Sequence, residues 1–301
     1  MKKIFMGVVF LFLLFFIGCG SDSTNGPSLD DGQVAYIGIM QNYNSTTELY
    51  EFNDFRGVIP DFNRLLTGQS YKVFSYEFTG FRRVGEMVWG IGFGEYDWTS
   101  TQMNNVKTAF SDNTSVPVEV TTNIGKISGE VNKVESILEN VQFNGSDPST
   151  ASLNKNEDLT VSWEYSSASP ENIFIYIYYN EWDDGGSVNS QDIMLVEKII
   201  EGSNTSYTIP GSLLTEDGHL KGSITPLNGP YLASGSTTTT RTPNMTGSGI
   251  GYLCTFGRNY SFTNVTVGTY PIAPTSLNAV MIEKEMNQKA IFENLVKHLR
   301  K

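Results

Sequence analysis

Apolar and polar positions alternate with a period of two along most of this chain and shift to a helical period only at its end. Val34-Ala35-Tyr36-Ile37-Gly38-Ile39 reads as a strand, and Tyr71–Phe78 as another with Phe74, Tyr76 and Phe78 on one face. Within Met87–Gly94 the side chains of Trp89, Ile91 and Phe93 share a face, with glycines between them. Val116–Val120 predicts a short strand, and Pro117 within it points to a sheet edge, because proline cannot donate to a ladder. A helical piece is expected over Ser100–Phe110. Short strands at turn-punctuated intervals predict an antiparallel sandwich or barrel for residues 33–131.

From Lys133 onward the alternation is sharper. Leu159, Val161 and Trp163 fall on one face of a strand. Ile173–Tyr179 sets three isoleucines against the aromatics Phe174, Tyr176 and Tyr178. Tyr207-Thr208-Ile209-Pro210 leads into a Leu213-Leu214 corner, Leu220–Ile224 follows, and strands near Tyr252–Phe256 and Tyr260–Val267 close the block. This run resembles an immunoglobulin or fibronectin type III-like sandwich in its pattern, without the paired cysteines of antibody domains. The fold class implied is mainly β: two antiparallel β-sandwich domains, residues 33–131 and 132–270, with a C-terminal helix over 276–301. A fold-level resemblance of this kind carries little about function.

The two ends depart from this pattern. Ser276–Lys301 holds no Gly or Pro, with Pro271 and Pro274 ahead of it and Ser276 as N-cap. At helical spacing Leu277, Val280, Met281, Ile291, Phe292, Leu295 and Leu299 share one side, and Lys284 and Gln288 interrupt that stripe midway. Packing on the protein's own sheet, pairing with a partner helix and binding a membrane surface are all open to such a helix. At the other end, Lys2 and Lys3 precede an apolar run of 14 residues, Ile4–Ile17. A bilayer-crossing helix needs roughly 20, so residues 1–18 read as a secretory signal peptide.

Phe16-Ile17-Gly18-Cys19 follows directly and resembles the lipobox of bacterial lipoproteins, in which a small residue precedes the cysteine that becomes the acylated N-terminus. The resemblance implies lipidation at Cys19 and anchorage in the cell envelope, in the outer membrane. Residues 19–32, rich in Ser, Asp, Thr, Gly and Asn, then form a tether too polar to bury a core. Three readings compete: an ordinary signal peptidase cutting after Gly20 and releasing a soluble product, an uncleaved segment kept as a short anchor, and Cys19 as an ordinary cysteine of the apolar region.

Composition changes this picture in two places. Loss of residues 1–18 removes Lys2 and Lys3 and moves the formal charge from −12 to −14. An acidic chain is a poor electrostatic match for nucleic acid. The chain has 2 cysteines, and if Cys19 carries lipid, Cys254 has no partner within the chain and reads as a small buried hydrophobe.

Candidate chemistry is confined to two clusters. Asp183, Asp184 and Asp192 stand in an oxygen-rich loop, Asn180–Asp192, where Ca²⁺ is one reading and a hairpin loop with Asx turns the other. Trp89, Tyr96 and Trp98, beside Glu95 and Asp97, form an aromatic group of the kind that stacks on sugars; core packing is its other reading. Glu95 and Asp97 lie two apart in sequence, whereas glycoside hydrolysis places its two carboxyls across a bond. No phosphate loop, HExxH, CxxC or G-x-S-x-G motif occurs. The expectation is therefore a non-enzymatic envelope lipoprotein without a cofactor, acting as a binding, adhesion or assembly module toward an envelope protein. The alternative is a carbohydrate-binding accessory lipoprotein of a glycan-uptake system.

Overall fold

The computed structural model describes residues 33–60, 66–84, 90–181, 193–230 and 242–269. Of these, 61% are in strands and one segment is an α-helix, so the protein is mainly β. The expected signal peptide, tether and C-terminal helix lie outside the described residues, as do Cys19, Trp89, Asp183, Asp184 and Asp192. The described chain divides into two compact units. The first comprises 33–134 and Leu227–Gly257; the second comprises Glu135–Pro226 and 258–269.

In the first unit, the first described strand is β1 (Gln33–Asn44), which pairs antiparallel with β2 (Leu49–Pro60) and parallel with β17 (Gly249–Phe256). Alternation sends Ala35, Ile37 and Ile39 of β1 into the core, all fully buried. A bulge follows, because Met40 pairs with Asp54 and Gln41 with Phe52, leaving Asn53 as the extra residue. The remaining strands are β3 (Gly68–Val73), β4 (Tyr76–Phe78), β5 (Phe81–Val84), β6 (Gly90–Gly94), β7 (Ser115–Thr122), β8 (Gly125–Asn132) and β16 (Met245–Gly247). Hydrogen bonds order them β4-β3-β7-β8-β16-β17-β1-β2-β6-β5.

Two sequence expectations change here. The single strand foreseen over Tyr71–Phe78 is a hairpin, β3 and β4, folded at Phe74-Ser75 with Phe74 at φ 57°. The turn resets the alternation, so Tyr71, Val73 and Phe78 are buried and Phe74 and Tyr76 only partly so. Pro117 lies within a strand paired on both sides, by β3 and β8. It is tolerated because β3 has turned away at that level: Val73 pairs with Val118, and the next contact is Phe74 N–H donating to the Pro117 carbonyl at 3.0 Å. The edge that proline needs is local.

Helix α1 (Ser100–Asp112) forms where the sequence places it, two residues longer than the expected span. A capping box starts it: Thr99 Oγ1 accepts from Gln102 N–H at 3.2 Å, and Gln102 Oε1 accepts from Thr99 N–H at 2.8 Å. Met103, Val106 and Phe110 face the sheet, and Phe110 meets Phe52 edge to face at 5.8 Å. Replacing Thr99 by Ala is expected to cost about 1 kcal/mol, read as a shift in the urea midpoint at constant slope.

In the second unit, β9 (Leu138–Phe143), β11 (Leu159–Tyr165) and β14 (Ser206–Ile209) form a three-stranded sheet in the order β14-β11-β9. The unit also contains β10 (Ser152–Leu153), β12 (Asn172–Glu181), β13 (Ile193–Glu201), β18 (Tyr260–Val267) and β15 (Gly218–Asn228) up to Pro226. Their pairing runs β13-β12-β15-β18-β10. One core joins both sets of strands. Leu159, Val161 and Trp163 from β11, which share a face as the alternation foretold, meet Ile173, Ile175 and Ile177 from β12 and Leu220 and Ile224 from β15.

Candidate functional site

The described carboxyl with the most displaced acid–base behaviour, Glu95, lies beside the outer side of β2 in the first unit. Phe55 points inward and is fully buried, so its neighbours Asp54 and Arg56 point outward together. Register places Arg56 opposite Gly94, the last residue of β6, where the chain enters a 3-10 turn, Glu95–Asp97. That turn swings Glu95 beside the β2 pair. Arg56 Nη2 lies 2.5 Å from Asp54 Oδ2 and 4.0 Å from Glu95 Oε1, and the Glu95 side chain keeps 20% of its exposure.

Loss of hydration pushes the Glu95 carboxyl up to about 7. The Asp54 charge and a hydrogen bond between the two acids push the same way, and Arg56 only partly opposes them. Near neutral pH the pair therefore holds a proton that two free carboxyls would release. This is a site that can both donate and accept a hydrogen bond, on the side of the sheet away from the core.

Tyr96 and Asp97 extend the site. Arg82 of β5 forks onto the Asp97 carboxylate through Nη2 and through Nε at 3.1 Å, and its guanidinium carbon stands 4.3 Å from the centre of the Tyr96 ring. Burial pushes the Tyr96 hydroxyl above its ordinary range. The Arg82 side chain is 54% exposed, so Arg82→Ala is expected to cost under about 1 kcal/mol. A double-mutant cycle with Asp97→Asn measures that coupling.

Trp98 turns the other way and packs, partly buried, against the core. Its ring stacks on Phe78 at 4.3 Å and on Phe52 and Phe55 at 5.8 Å, and its Nε1–H donates to Tyr71 Oη at 2.8 Å. Tyr71 Oη in turn donates to the Gly94 carbonyl at 2.9 Å, and burial raises its pKa to about 12. This chain fixes the start of the 3-10 turn from beneath. Of the aromatic group singled out in the sequence, Tyr96 and Trp98 thus point apart, the first under a guanidinium and the second packed against the core; Trp89 is outside the described residues.

Asp54, Arg56 and Arg82 were not singled out in the sequence. The Asp-Phe-Arg alternation at 54–56 does carry the signal that an acid and a base share a strand face. Among the described residues, no group of three or more His, Cys, Asp or Glu is placed to hold a metal ion. Cys254 is buried in β17, its thiol donating to the Ile37 carbonyl at 3.5 Å, and burial pushes its pKa far up. His219 is buried in β15. No family model matches the chain, and no curated protein matches it.

Proposed function

We propose that the chain is a lipid-anchored protein of the bacterial cell envelope, in the outer membrane, working by binding, adhesion or assembly rather than by catalysis. The observation that carries this reading is the order of parts along the sequence: a basic start, an apolar run of 14 residues, Gly18-Cys19 and a polar stretch. The described β structure begins at Gln33, in a strand flanked on both sides, 14 residues beyond Cys19. A signal peptide, a lipidated cysteine, a polar tether and then immediate entry into the middle of a sheet form one consistent sequence of parts. Stable anchorage needs two acyl chains or more, which a lipoprotein N-terminus carries.

Under this reading the two units are two domains, and the second is an immunoglobulin-like sandwich: its two sheets share one core and its β11 tryptophan sits within it. The buried states of Cys254 and His219 support a role without nucleophilic chemistry. The partner is an envelope protein. The glycan alternative now leans on Tyr96, since the Trp98 ring is stacked against core aromatics, and Tyr96 already lies under Arg82.

Cell fractionation tests the anchor: the wild-type chain is expected in the membrane pellet and Cys19→Ser in the soluble fraction. A wild-type chain that is soluble after leader removal overturns the reading. Titrating soluble glycans while following tryptophan emission separates the alternatives. A saturable change lost in Tyr96→Ala selects the glycan-binding accessory protein, and a flat response selects the protein-binding module.

A further inference from the structure

In the second unit, β12 has two covered faces and only one of them belongs to the unit's hydrophobic core. Ile173, Ile175 and Ile177 enter that core. On the opposite face Phe174, Tyr176 and Tyr178 form a continuous ladder, with ring centres 5.9 Å and 4.4 Å apart. These rings are only 1%, 1% and 5% exposed, as sheltered as the isoleucines, yet the core cluster includes none of them. The same side of β15 carries Lys221, 5.9 Å from the Tyr178 ring centre, and by alternation Ser223 and Thr225. The hydroxyls of Tyr176, Ser223 and Thr225 are buried and have no hydrogen-bond partner. A buried hydroxyl left unsatisfied is costly, so this face calls for an occupant that is apolar with polar groups at set places.

We propose that the occupant is the chain's own C-terminal amphipathic stretch, Ser276–Gln288. Three matches carry this. The first is reach. β18 ends at Val267, opposite Gly218 of β15, whose own neighbour across the ladder is Asn180 at the far end of β12. Crossing from β18 over β15 to β12 spans two strand spacings, about 10 Å. The seven residues 270–276 reach about 20 Å when extended. The second is length. Thirteen helical residues rise about 20 Å, and β12 from Phe174 to Asn180 covers about 20 Å. The third is pattern. Leu277, Val280 and Met281 supply the apolar side, and Lys284 and Gln288 break it with donors where the face presents its three hydroxyls. The interruption that weakens this stripe as a self-contained apolar face is what the tyrosine side of the sheet needs.

Hydroxyl-radical footprinting of the full chain tests this, with labelling of Tyr176 and Tyr178 as the readout and Tyr71, buried in the first unit, as the internal reference. In a chain carrying Val280→Glu and Met281→Glu, labelling of Tyr176 and Tyr178 is expected to rise several-fold while Tyr71 stays unchanged. Unchanged labelling at all three overturns the proposal. So does a rise seen instead on removal of residues 1–18, or protection that depends on protein concentration, which would make the N-terminal segment or a second copy the occupant. A second, independent variant covers loss of folding. With Cys19→Ser and Cys254→Ser as background, Gln288→Cys and Thr225→Cys, which the same rise sets at one level, are expected to form an intrachain disulfide on mild oxidation, and its absence overturns the proposal.

Discussion

Replacing Gln41 by Leu is expected to destabilise the protein by about 3 kcal/mol, although it puts an apolar residue at a position where alternation asks for one. Ala35, Ile37 and Ile39 precede it on the inward side of β1, and Gln41 continues that side while only 1% exposed. Its amide is fully used: Nε2–H donates to the Val134 carbonyl at 3.0 Å, and Oε1 accepts from Val134 N–H at 2.9 Å. Gln41 thus stands in for a strand partner where β8 has ended at Asn132. Leucine would strand a buried N–H and a buried C=O, each worth roughly 1–3 kcal/mol when left unsatisfied, and would recover only part of that by burial. Urea unfolding measures the difference, with an unchanged slope showing that the unfolded state is unaffected. A loss under about 1 kcal/mol would mean that Val134 finds other partners.

Glu95→Gln is expected to act in the opposite direction, stabilising the protein at pH 8 and leaving it nearly unchanged at pH 4. The sign follows from linkage. The folded carboxyl is raised from 4.5 to about 7, so between those values the folded state holds a proton that the unfolded state has released. Stability from this group is fully present below about pH 4.5, is lost as pH rises toward 7, and is flat above it. Because Glu95 keeps partial access to water, the loss is set below the full ~1.4 kcal/mol per pH unit, at about 2 kcal/mol in all. Glutamine keeps the shape and a donor and cannot ionise. Thermal midpoints at pH 4, 6 and 8 decide it: the wild-type curve falls across that range and the variant curve stays level. Parallel curves would show that Asp54 and Glu95 do not share a proton.

The sequence is most readable where one face is apolar and the other is not. Leu159–Trp163 announced both its strand and the side that enters the core, because a period of two leaves a single way to bury it, whereas Ile173–Tyr179 announced its strand but not which of its two apolar faces enters the core. β2 was not foreseen, since a bulge at Asn53 breaks the alternation of Phe52 with Phe55 and sets charged residues between core aromatics. β3 and β4 looked like one strand, because the turn at Phe74-Ser75 contains none of the Gly, Asn or Pro signals that mark turns. The candidate site was half legible. Glu95, Tyr96 and Asp97 were noticed as a group, yet the residues that define their chemistry, Asp54, Arg56 and Arg82, come from other strands. Only pairing register, Arg56 against Gly94 and Arg82 against Gly92, brings them together. Gln41 was illegible for a similar reason, since its partner is Val134.

One measurement addresses the proposed lipid on Cys19 directly. Mass spectrometry of the N-terminal peptide, taken from the full chain produced with its own leader in a bacterium, reads both the cleavage site and the modification. The account predicts a peptide that begins at Cys19 and carries a thioether-linked diacylglycerol. An unmodified peptide that begins at Ser21, or one that retains residues 1–18, would contradict it.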